Sequence, residues 1–82
     1  MIEKEIYYYS VDIDTINVGG VLETTGFKTI RLYEIIIKNG KSVLFEIISF
    51  ETLIQNDSEE IIWNELSEKF KLDSNQIELQ KI

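Results

Sequence analysis

Neither cysteine nor histidine occurs among the 82 residues of this chain. The first absence excludes disulfides and thiolate metal sites. The second removes the commonest general base and the commonest metal ligand together. Long hydrophobic runs are also missing: nothing approaches the roughly 20 apolar residues that span a bilayer. The opening Met-Ile-Glu-Lys-Glu-Ile carries no apolar h-region of a signal peptide, and the expectation is a cytosolic protein. Abundant Ile, Asn, Glu and Lys with no proline point to an AT-rich bacterial or phage genome.

Catalytic constellations are equally scarce. A serine triad needs a histidine or another base, and Gly19-Gly20 is followed by neither a lysine nor a helix start, so no phosphate loop forms there. Asp12 and Asp14 fall on one strand face about 7 Å apart, where a hard cation could bind, although a polar strand edge is the plainer reading. An acid/base pair of carboxylates needs a cleft that separates their pKa values, and an outward helix face offers none. The expectation is a non-enzymatic chain with no cofactor and no metal site.

A hydrophobic fraction of 44% is enough for a core. The length suits one domain, residues 1–82. A chain so short buries only about 60% of its unfolded surface, so its stability margin is thin.

Period-two alternation predicts a strand over 5–14, with Tyr7, Tyr9, Val11 and Ile13 toward the core and Tyr8, Ser10, Asp12 and Asp14 away from it. A short strand around Val21 to Glu23 is expected to turn back at the double glycine. Lys38-Asn39-Gly40-Lys41 separates two apolar runs and predicts a two-residue hairpin of 28–38 with 41–50. Its register sets Ile37 opposite Ser42 and Ile35 opposite Leu44. One face then holds Ile30, Leu32, Ile36, Val43, Phe45 and Ile47, the expected core face. The other holds Arg31, Tyr33, Ile35, Ile37, Leu44, Glu46 and Ile48, amphipathic and too apolar for ordinary solvent surface.

A helix is expected to start at Asp57 as N-cap, with Glu60 three residues on. Ile62, Trp63, Leu66 and Phe70 form its core stripe, with Trp63 expected against Leu32 and Phe45. Ile61 falls among the acids of the opposite side. After Asp73-Ser74-Asn75 a last strand is expected, with Ile77 and Leu79 inward. The fold class is α+β: an antiparallel sheet of four or five strands with one helix packed on one face.

The net charge of −7 is uneven: residues 51–82 carry eight acids against three bases, and 51–68 hold six acids and no base. Such a field repels phosphates and favours a basic partner over nucleic acid itself. A solvated helix face that keeps the chain soluble is the plainer account of the same charges. The candidate contact residues are Asp57, Glu59, Glu60, Ile61, Glu65 and Glu68 on the helix, and Tyr33, Ile35 and Leu44 on the hairpin. The hairpin face has two rival explanations, a cover formed by residues 1–25 and a homodimer interface.

A short, acidic, single α+β domain with its acids gathered on a helix resembles the small inhibitors that phages carry against host enzymes, anti-CRISPR proteins among them. The resemblance lies in overall character and no motif carries it. It implies an inhibitor that mimics DNA and occupies the basic groove of a CRISPR effector or nuclease. Immunity proteins and antitoxins that neutralise nucleases share the profile. A homodimeric accessory protein, acidic only for solubility, is the alternative from a different class.

Overall fold

In the computed structural model, which describes residues 4–82, the chain forms strands β1 (Glu5–Val18), β2 (Val21–Lys38) and β3 (Lys41–Leu53). Helix α1 (Ser58–Lys69), a short 3-10 turn (Ser74–Gln76) and strand β4 (Ile77–Lys81) follow. The fold is α+β, a single four-stranded sheet with one helix.

The sheet order is β3-β2-β1-β4, with β1/β2 and β2/β3 antiparallel and β1/β4 parallel. The expected antiparallel sheet is therefore mixed. Two tight hairpins leave β3 running with β1, and α1 carries the chain back along the sheet, so β4 enters in that same direction.

Both hairpins turn where glycine permits positive φ. Asn39 (φ 52) and Gly40 (φ 73) close the second with the register expected from sequence, Ile37 to Ser42 and Ile35 to Leu44. The first turns at Gly19-Gly20, where Asn17 Oδ1 accepts from the Gly20 amide at 2.9 Å.

Two irregularities decide which side chains meet. Between the pairs Leu32/Ile48 and Tyr33/Glu46, β3 contains one extra residue, Ile47. This bulge turns Ile48 and Phe50 toward Leu32 and Ile30 on the helix side, so Ile48 leaves the outer face where simple alternation puts it. Further along, Thr25, Gly26 and Phe27 stand opposite Asp14 alone, and Gly26 takes φ +89.

The core comprises Tyr7, Tyr9, Ile30, Leu32, Ile62, Leu66 and Ile77, with Ile47, Ile48, Phe50 and Trp63 packed at its margin. Ile77 and Leu79 face inward as expected, Leu79 only half-buried. Five other expectations fail, two of them at Ile13 and Val43, which are exposed although alternation turns them toward the core. Phe45 is 52% exposed, Phe70 is exposed, and Trp63 is half-buried. Length explains Phe45: twelve helical residues span about 18 Å, whereas the molecule is 55 Å long. The helix covers the middle of the sheet and no more.

The middle is where strands overlap. β2 pairs with β1 over Val21–Tyr33 and with β3 over Phe27–Lys38. Beyond the overlap each end of β2 continues as a two-stranded arm, one closed by Gly19-Gly20 and one by Asn39-Gly40.

Lys28 is buried on the helix side, and its Nζ donates to the Asn56 carbonyl at 2.5 Å. That bond ties the sheet to the loop that leads into α1.

Candidate protein-interaction surface

The helix acids are not equivalent. Asp57 Oδ1 caps α1 by accepting from the amides of Glu59 (3.0 Å) and Glu60 (3.1 Å). Glu59 Oε2 accepts from the Tyr9 hydroxyl at 2.8 Å. Glu65 Oε2 is shielded from solvent and meets the Lys69 ammonium at 3.0 Å as an ion-pair contact, without an aligned hydrogen bond. Glu60 and Glu68 are exposed and enter no ion pair among the described residues. Ile61, expected on the open acidic side, is half-buried. Three of the five carboxylates thus have structural partners and two are free.

Tyr9 and Tyr7 mark where this acidity touches the core. The Tyr9 phenol is pushed up to about 12, first by burial and then by its hydrogen bond to Glu59 and the charges of Glu59 and Asp57. Tyr7 is also pushed up to about 12, by burial first and then by its hydrogen bond to Glu5 at 3.0 Å and nearby carboxylate charge.

The sheet face away from α1 holds a second acidic field that sequence reasoning missed. Strand pairing sets Asp12, Thr29 and Glu51 in one row across three strands, with Ser10, Arg31 and Ser49 in the next. Arg31 contacts Asp12 at 2.5 Å and Glu46 at 3.5 Å, while Asp14 accepts from the Thr29 hydroxyl at 3.0 Å. Both carboxylates weighed as a cation site are engaged in this way, and no cluster of three or more potential metal ligands occurs among the described residues. Glu51, counted with the helix acids by sequence position, lies on this opposite face. The signal for the field was the alternation of Asp12 with Asp14 and of Arg31 with Tyr33. The bulge at Ile47 hid how β3 joins it.

On the hairpin, Tyr33 is half-buried beside Tyr8 and stands 3.5 Å from the Ser10 hydroxyl. Ile35 and Leu44 are exposed. Residues 4–25 do not cover them, because β1 lies edge to edge with β2 and their pairing begins at Tyr8 and Tyr33. Where the strands part, a cavity of about 450 Å³ opens between Lys4, Ile6, Tyr8, Glu34 and Ile35. The structure therefore separates the two groups of candidate residues: acids lie on the helix and the open sheet face, and bare aliphatics lie on the arm.

No protein-family model, no curated protein and no solved structure matches this chain. No helix among the described residues is long and apolar enough to cross a membrane.

Proposed function

We propose that this chain is a non-enzymatic, cytosolic inhibitor that binds a basic nucleic-acid-handling enzyme and competes with the nucleic acid, in the manner of a DNA mimic. The carrying observation is the free pair Glu60 and Glu68, exposed on a helix whose remaining acids are held in place by partners. Among the described residues, neither Glu60 nor Glu68 has to give up an intramolecular partner before it meets a groove lined by Lys and Arg. The acids of the open sheet face extend the negative field around the molecule, which speeds encounter with a basic surface. A CRISPR effector and a toxin nuclease are both partners of this chemistry. Inhibitor, immunity protein and antitoxin are one mechanism with different targets.

The test spares the structural acids. Glu60→Lys with Glu68→Lys leaves the Asp57 cap, the Tyr9–Glu59 bond and the Glu65–Lys69 pair intact. Immobilised parent protein is expected to retain nucleic-acid enzymes from bacterial lysate at low salt, to release them to added duplex DNA, and to lose them in the double variant. Retention unaffected by both the DNA and the double reversal would sink the reading. Ile61 is a poor probe, since its half-burial mixes folding with binding.

A further inference from the structure

The molecule exposes more surface than its mass requires. Its accessible surface is 6017 Å². A compact monomer of 9.6 kDa exposes about 5,100 Å² by the usual mass scaling. The radius of gyration is 15.3 Å, against about 12 Å for a compact chain of this length. The excess is on the order of 900 Å² over the whole molecule, so one face of one arm supplies only part of the ~800 Å² that each partner contributes to a standard interface. Among the described residues, the exposed large hydrophobics fall mostly on the two arms, Ile13 to Leu22 on one and Ile35 to Phe45 on the other.

The arms differ in charge. Residues 13–24 of the β1–β2 arm hold Asp14 and Glu23 and no base, so two copies of it repel. The β2–β3 arm is neutral in a chain of net charge −7: Lys38 and Lys41 sit at its tip, Glu34 and Glu46 at its base. Both of its faces are apolar between those charges. Ile37 is 71% exposed on the outer face, and Val43 is 41% exposed on the helix side.

The helix-side face has a self-complementary order. Along β2 it reads Glu34, Ile36, Lys38, and along β3 it reads Phe45, Val43, Lys41, the two rows being paired across the strands. Glu34 and Lys38 flank Ile36 with opposite charges, while Phe45 and Lys41 flank Val43 and leave the face with one net positive charge. A two-fold axis through the Ile36–Val43 pair, perpendicular to the strands and between two stacked arms, lays Glu34 of each copy over Lys38 of the other. The same operation lays Phe45 over Lys41, a cation–π contact, and sets Ile36 and Val43 against their own mates. The helix of each copy stays clear. It covers the middle of its own sheet, and in this arrangement the partner's middle lies past the tip of the arm.

We propose that this chain self-associates through the helix-side face of the β2–β3 arm, a second copy lying antiparallel across it about a two-fold axis centred on Ile36 and Val43. Repulsion between two acidic chains is moderate here, because the helix acids lie away from the arm and salt screens them. The proposal is independent of the basic-partner reading: it concerns a different surface, and either can fail alone.

The experiment measures mass by sedimentation over a wide concentration range, with circular dichroism on every variant. The parent is expected to form a dimer. Val43→Asp places two carboxylates against each other at the axis and is expected to give a monomer, whereas Leu44→Asp, on the other face, is expected to leave the dimer in place. Glu34→Lys and Lys38→Glu are each expected to raise the dimer dissociation constant about tenfold or more, since each creates two like-charge contacts. The double swap Glu34→Lys with Lys38→Glu is expected to restore it. Within one chain these residues are four positions apart, about 13 Å along the strand, too far to pair with each other, so rescue reports an intermolecular contact. A parent that is monomeric throughout overturns the proposal. So does a dimer dissolved by Leu44→Asp and kept by Val43→Asp, or single charge reversals without effect.

Discussion

The hydroxyl of Tyr9 donates to Glu59 Oε2 at 2.8 Å, joining the buried middle of β1 to the first turn of α1 across 50 positions of sequence. Asp57 caps the same turn two residues earlier. Sheet and helix thus share one anchor, in which a core aromatic supplies the polar tip and a helix acid accepts it. Removing that tip while keeping the ring isolates the bond. Tyr9→Phe is expected to lower stability by about 1–2 kcal/mol, the range for a partly exposed hydrogen bond to a charged group. Urea unfolding of the two proteins checks it, and an unchanged midpoint would show the bond to be incidental.

Alkaline pH tests the same anchor and its neighbour. The phenols of Tyr7 and Tyr9 both lie at about 12, above the value of 10.0 for free tyrosine. Between those values the folded chain holds protons that the unfolded chain has released. Stability is therefore full below pH 10 and falls as pH rises from 10 through 12. Thermal unfolding across that window, alongside tyrosinate absorbance, is expected to show the loss. Tyr7→Phe with Tyr9→Phe should flatten that slope.

Helix coverage ranks the hydrophobic positions. Leu66→Ala, in the sealed core, is expected to cost about 2–5 kcal/mol, enough to unfold much of so small a domain. Phe45→Ala, at a bare position on the arm, is expected to cost less than about 1 kcal/mol in dilute monomer. Equal losses would mean that the helix reaches further along the sheet than twelve residues allow.

The Asn39-Gly40 turn closes an arm that lies beyond the core. Gly40 has φ +73, so Gly40→Val forces a β-branched residue into a region it rarely enters, at a cost of about 1–3 kcal/mol. The strain falls on the arm, so amide hydrogen exchange is expected to accelerate over residues 34–45 and to change little in α1. Uniform acceleration across the chain would show that the arm and the core unfold as one unit.

Local chemistry along the chain is enough for the two glycine turns, the Asp57 cap, the alternation of Tyr7 and Tyr9 with Tyr8 and Ser10, and the inward Ile77. Each depends on residues within a turn or a strand of one another. The register near Asn39-Gly40 follows for the same reason, because a two-residue turn leaves one pairing. The acids of α1 are legible as a charged run, yet their division into Asp57, Glu59 and Glu65 with partners and Glu60 and Glu68 without depends on Tyr9 and Lys69 standing where they do.

The rest belongs to long-range packing. Nothing local announces the extra residue Ile47, which turns Ile48 and Phe50 toward the helix, or the parallel β4, or the burial of Lys28 under the loop at Asn56. Neither the acidic field around Arg31 nor the bare β2–β3 arm can be read from alternation alone. A single bulge reverses inside and outside for everything beyond it, and only a helix of finite length decides which apolar face is covered.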